Sequence, residues 1–174
     1  MTIILGCGTE QDPEALPLYT RRKRSFIRNV QRKQLPREVI QARTQPNLRI
    51  DHRIQLLSCA TTYNCYGLVF ASRRTCISED DIPRVLHDDG YRTLPWDAAT
   101  WRPGDLMLYS DGSGQISHVG EIVRIEQDLL GGDPAVWIIS AWGETGEYLH
   151  PVETVSHWLG RAFRVVSQRI SYDS

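Results

Sequence analysis

From residue 20 to residue 34 the chain has no Gly or Pro, and Phe26, Ile27 and Val30 fall on one face at helical spacing. A short basic helix ending before Pro36 is therefore predicted there. The preceding residues 1–19, broken by Pro13 and Pro17, read as an irregular lead-in. A second helix is predicted over 37–44, and 47–51 as an extended connector. Apolar Leu68, Val69 and Ala71 with Cys65 on a neighbouring face predict a buried helix, with Asn64 as a good N-cap type. The acids Glu79, Asp80 and Asp81 fit a helix N-terminus, and Asp88-Asp89-Gly90 fits the exit turn of that helix. Residues 102–109 and 115–123 read as two strands of a hairpin closed by Asp111-Gly112-Ser113-Gly114, and 135–142 as a further strand.

These elements add up to an α+β fold, a helix packed on an antiparallel sheet of about five strands and preceded by a basic helical arm. The division expected is an arm over 1–53 and a main domain over 54–174. The chain's 174 residues, 41% hydrophobic and 24% charged, are one domain's worth of material and fall outside the disordered and repetitive classes. No run of 18 apolar residues occurs, so no membrane-spanning helix is expected. Residues 1–7 lack the basic n-region and the long apolar run of a cleaved signal, so the expected location is cytoplasmic, or outside by a route that reads no such signal.

A formal net charge of −1 hides an asymmetry. Residues 21–53 hold eleven Lys and Arg against Glu38 and Asp51, a charge of +9, which leaves −10 on the remainder. The first reading is a basic arm lying on an acidic body. Docking on nucleic acid or an acidic protein through 21–53 is the second, although no aromatic residues are interleaved with the charges to stack on bases.

The chemistry concentrates on one cysteine. At the first turn of its predicted helix, Cys65 would face unpaired backbone N–H groups and the positive end of the helix dipole, which favour a thiolate and can hold an oxyanion. His118, at the start of the second hairpin strand, is the candidate base. If the strands at 119–125 and 135–141 pair antiparallel, His118 faces about Trp142, with Ser140 and Glu144 on its side of the sheet. A carboxylate orients an imidazole better than a hydroxyl does, so Glu144 is placed slightly ahead of Ser140, with His150 behind both. Tyr63, Asn64 and Tyr66 are candidates for substrate or oxyanion contacts, and Gly67 for close approach of a substrate backbone. Cys7, Cys59 and Cys76 have no C-x-x-C partner spacing, so neither a metal nor a cofactor is expected.

The order Cys65-Tyr66-Gly67-Leu68-Val69, then Gly104-Asp105-Leu106-Met107-Leu108, then His118-Val119-Gly120-Glu121-Ile122 resembles the NlpC-type papain-fold cysteine peptidases and amidases. The resemblance covers roughly residues 54–142. It implies a papain-like fold, a Cys65 nucleophile, a His118 base and a third polar residue on the next strand, where this chain offers Ser140. Asn64 stands where the family commonly has Asp, and Tyr66 where it has a small residue. The implied activity is thiol-dependent cleavage of an amide or peptide bond, most often in peptidoglycan. Deamidation, acyl transfer and the action of an effector toxin, with an immunity or chaperone partner, fit the same chemistry. A catalytically silent module that binds through its basic arm is the reading from another class.

Overall fold

A computed structural model describes residue 11 and residues 13–127, 132–155 and 162–167. It is mixed helix and antiparallel sheet. In chain order the elements are β1 (Asn29–Val30), α1 (Arg37–Leu48), β2 (Gln55–Ser58), α2 (Cys65–Phe70), β3 (Cys76–Ile77), α3 (Ile82–Asp88), β4 (Arg92–Thr93), β5 (Leu106–Ser110), β6 (Ile116–Glu126), β7 (Ala135–Ala141), β8 (Glu147–Pro151) and β9 (Ala162–Ser167). No described helix is long and apolar enough to cross a membrane.

Among the described residues the sheet has seven strands in the order β2-β8-β7-β6-β5-β9-β4, more than the five expected, because β2, β4 and β9 extend the central hairpin on both flanks. A separate two-stranded sheet joins β1 to β3. The predicted hairpin is present: β5 pairs with β6, and Tyr109 lies opposite His118. The Asp111 carboxylate caps its turn by accepting from the Ser113 and Gln115 N–H groups. At the outer edge, β2 pairs with β8 through a bulge between Leu56 and Ser58.

Strand alternation sorts the core into two layers. Leu106, Leu108 and Val119 pack with Cys65 and Tyr66 of α2 and with Ile82, Val85 and Leu86 of α3. On the other face Met107, Tyr109, Ile122, Ile138 and Tyr148 pack with Ile54, Trp101 and Trp142. Leu18 and Ile27, from the N-terminal arm, sit in the first of these layers, so the arm shares a core with the rest of the chain.

The basic segment does not form the helix expected over 20–34. Tyr19 bridges Phe26 antiparallel, and Asn29–Val30 runs as β1. The reason lies in where its backbone donors go. The N–H groups of Arg21 and Arg22 donate to the Asp89 carboxylate, at 2.6 and 3.3 Å, and that of Arg28 to Asp81 at 2.6 Å, so those donors leave the helical ladder. Side-chain pairs follow, Lys23 with Asp88 and Arg28 with both Asp80 and Asp81. The basic arm thus lies on the acidic start and end of α3. The connector expected over 47–51 is instead partly helical, since α1 runs on through Pro46 to Leu48.

Candidate functional site

Cys65 opens α2 as the sequence predicts. Asn64 is the N-cap, its Oδ1 accepting from the Gly67 N–H at 2.9 Å. The same amide holds β3, accepting from the Ile77 N–H at 3.1 Å and donating to the Ile77 carbonyl at 2.8 Å. Every polar atom of the Asn64 amide group is therefore engaged by the fold, and an oxyanion role for this side chain is not what it is built for. Gly67 is required for a different reason from the one expected. A Cβ there would stand 1.7 Å from the Thr75 carbonyl oxygen, so the chain's own backbone, and no substrate, takes the space that glycine leaves.

Cys65 packs in one core cluster with Val119, the residue after His118, and the Val119 N–H acts on the thiol. This contact is at the end of β6 where its pairing with β7 has stopped, the first paired residues being Glu121 and Ile139. Extended from there, the register sets His118 opposite Trp142, as expected from the sequence. The His118 side chain follows the alternation to the Tyr109 side, its ring centre 5.6 Å from that of Tyr109. The imidazole thus lies on the Tyr109 face of the sheet while Cys65 packs with Leu108 and Val119 on the other, and among the described residues no hydrogen bond joins them.

Both groups are shut away from solvent, Cys65 exposed by 7% and His118 by 5%. Burial pushes the thiol up to about 12, against the pull of the Val119 and Tyr66 N–H groups. Burial also lowers the imidazole to about 3, assisted by the nearby His150. The resting pair is a neutral thiol and a neutral imidazole. His118 Nε2 is buried and has no hydrogen-bond partner, a costly condition for a polar atom.

The candidates for a third residue separate sharply. Ser140 is fully buried, its Oγ 2.8 Å from His150 Nε2 and 2.8 Å from the Trp142 indole nitrogen. Because Trp142 can only donate, the Ser140 hydroxyl passes its own proton towards His150 Nε2, while His150 Nδ1 donates to the Pro151 carbonyl at 2.9 Å. That chain fixes one neutral tautomer of His150, whose pKa burial lowers to about 4. Glu144, ranked first from the sequence, is elsewhere: it lies in a one-turn helix at Gly143–Thr145 and pairs with Arg43 of α1 on the surface. The turn rotates it off the path that simple alternation predicts.

Tyr63 and Tyr66 are likewise committed to the fold. The Tyr63 hydroxyl donates to Glu147 at 2.7 Å, and Arg73 grips the same carboxylate through Nε and a terminal nitrogen at 2.8 and 2.9 Å. Although burial opposes its charge, these partners hold Glu147 below the usual carboxylate range. Arg73 adopts φ of 66°, so the turn leaving α2 is bent into the left-handed region to deliver it. Neither Arg73 nor Glu147 carries any local sequence signal of this pairing. Tyr66 donates to the Ile116 carbonyl at 2.7 Å and fills the space beside Cys65. Outside this wall a groove of about 470 Å³ is lined by Glu79, Asp80, Pro83, Gly114, Gln115 and Ile116.

Among the described residues no group of three or more His, Cys, Asp and Glu is placed to hold a metal ion. Compared with protein-family models, with curated proteins and with solved structures, the chain matches none.

Proposed function

We propose that this chain is a cysteine hydrolase that cleaves an amide or peptide bond, with Cys65 as nucleophile and His118 as base. The observation that carries the reading is the packing of the capped start of α2 on β6: Cys65 shares a core cluster with Val119, the residue after a buried histidine whose Nε2 has no partner. Core packing alone has no use for an unpartnered imidazole nitrogen at that place. The papain-like arrangement and the NlpC-type resemblance belong to the same proposal.

In the proposed reaction His118 takes the thiol proton as sulfur bonds to the acyl carbon, and the carbonyl electrons move onto oxygen. The N–H groups at the start of α2 receive that oxyanion. Its collapse breaks the C–N bond, and the imidazolium gives its proton to the departing amine. Water then adds to the thioester, and the carboxylate product restores the thiol. Because the resting groups are neutral, transfer of the proton accompanies attack rather than preceding it, and it requires the imidazole, which rests on the Tyr109 face of the sheet, to reach the sulfur on the α2 face. The groove beside Ile116 is the approach, separated from Cys65 by the Tyr66 side chain.

The test is iodoacetamide labelling followed residue by residue, in a background where the more accessible Cys59 is replaced by Ser. Labelling of Cys65 that slows at least tenfold in His118→Ala, with the fold retained, supports the pair. An unchanged rate sinks it. Amide hydrolysis that survives Cys65→Ala removes the hydrolase reading altogether. Peptidoglycan fragments, glutamine-containing peptides and acyl acceptors, tried as substrates, separate amidase, deamidase and transferase.

The basic arm speaks less strongly for nucleic acid. Arg21, Lys23, Arg28, Arg43 and Arg53 are all paired with acids of the same chain.

A further inference from the structure

Residues 21–24 read Arg-Arg-Lys-Arg, the only run of more than two basic residues in the chain. In the structure this run is the tip of a turn. At its base Tyr19 bridges Phe26 antiparallel, the Thr20 N–H donates to the Ser25 carbonyl at 2.8 Å, and the Arg24 N–H donates to the Thr20 carbonyl at 3.1 Å. All four basic residues are exposed. Even with their acidic partners in place, the Arg21 and Lys23 side chains keep 71% and 55% of their surface in solvent.

The tip is built to open locally. Arg24 has a φ of 58°, in the left-handed region that a residue with a side chain enters only against strain. Four like charges in succession repel one another as well. Exposed turns of this kind are where folded chains are cut, because a few residues can be drawn out while the core stays folded. The charge pattern then singles out one peptide bond. Ahead of the bond from Arg24 to Ser25 stand Arg24 itself, Lys23 and, three positions before Arg24, Arg21, while the residue after it is small. Guanidinium groups at fixed spacing are what paired carboxylates in a cleft recognise. The structure also provides for the cut end: the Ser25 hydroxyl donates to the Asp88 carboxylate at 2.8 Å, so an ammonium created at Ser25 forms beside an acid whose side chain is 6% exposed.

We infer that the Arg24–Ser25 bond is a processing site for an endoprotease with acidic subsites, which draws the turn out and takes the side chains of Arg21, Lys23 and Arg24. Water adds to the Arg24 carbonyl carbon and the C–N bond to Ser25 breaks. The products are an Arg24 carboxylate and a Ser25 ammonium, the latter paired with Asp88. The cut unlinks from the body the part of the arm that carries Leu18, a member of the core layer that holds Cys65 and Tyr66. Cleavage here does not depend on Cys65 being a nucleophile.

The full chain is incubated without denaturant with a subtilisin-type endoprotease selective for Arg-Xaa-Lys-Arg, and the products are weighed by mass spectrometry. A product beginning at Ser25 is expected, formed about tenfold or more slowly in Arg21→Ala and in Arg24→Ala, since each removes a cation that a subsite must otherwise leave unpaired. Both changes fall on exposed positions, and an unshifted thermal midpoint verifies that the variants are folded. Slow hydrogen exchange at Met107 and Ile122 during the digestion shows that the sheet stays folded while the bond is cut. No cut between Arg24 and Ser25, a rate unchanged in both variants, or cutting only in urea that unfolds the sheet overturns the inference. Salt-sensitive retention of the parent chain on DNA, without cleavage, assigns the run to a polyanion and overturns it too.

Discussion

The Asn64 side chain pairs with the backbone of Ile77 as a neighbouring strand would, accepting from its N–H at 3.1 Å and donating to its carbonyl at 2.8 Å. One amide thus caps α2 and fastens β3 to it. An aspartate has an oxygen where the Asn64 amide nitrogen now donates, so Asn64→Asp sets an anion against the Ile77 carbonyl. The change should cost about 2 kcal/mol, the penalty of an unmade buried hydrogen bond. Denaturant midpoints of the two chains measure it. A stability equal to that of the parent would show that the donor bond to Ile77 contributes nothing.

Gly67→Ala should be more severe. The new methyl group would overlap the Thr75 carbonyl oxygen, which is backbone and has no rotamer to escape into. A loss of about 3 kcal/mol or more is expected, with α2 and the strand Cys76–Ile77 forced apart. Thermal unfolding, with hydrogen exchange at Leu68 and Ile77, would report it.

Acid should loosen the protein well before its carboxylates are neutralised. His118 and His150 are held at about 3 and about 4, below the ordinary value of 6.5, by burial. Above 6.5 both the folded and the unfolded chain carry them neutral. As pH falls from there towards 4, the unfolded chain takes up protons that the fold refuses, and stability declines. Each histidine contributes a slope of about 1.4 kcal/mol per pH unit within that window. His118→Gln should remove about half of the slope seen in urea unfolding between neutral pH and pH about 5. A slope unchanged by the substitution would mean that His118 titrates normally.

Tyr66→Phe deletes the hydroxyl that closes the wall between Cys65 and the groove. The Ile116 carbonyl loses a buried donor, a cost of about 1 kcal/mol. Faster alkylation of Cys65 than in the parent is expected, because local opening of that wall becomes easier. If the rate stays the same, the thiol is reached by some other path.

Asp81 accepts from the Arg28 N–H at 2.6 Å and also receives the Arg28 guanidinium. Asp81→Ala should therefore free the segment around β1 without unfolding the sheet, seen as faster hydrogen exchange at Arg28 and Val30 but not at Met107 or Ile122. Salt-dependent retention on DNA should rise in this variant, as cations now matched within the chain become available.

What the sequence revealed was local. Asn64 before an apolar helical run, and a Gly-rich turn between two alternating strands, place Cys65 and His118 correctly because caps and turns are decided by neighbours in the chain. The residues that went astray are those whose fate is set from far away. The acids that draw Arg21 and Arg28 out of a helix lie 68 and 53 positions along. Alternation ranked Glu144 first, yet a single turn of helix carries it to Arg43, and the buried carboxylate of the region proves to be Glu147, held by an arginine 74 positions earlier. His150 stood last among the candidates because nothing local shows that Ser140 and Trp142 would enclose it.

The outer flanks of the sheet have a consequence for how the molecule behaves in a crowd. One margin is a four-residue ribbon kinked between Leu56 and Ser58, and the other is only two residues long. Free peptide groups there are too few and too bent to template a further chain, even with Leu57 turned outward. Margins this short and kinked disfavour edge-to-edge pairing of two copies along them.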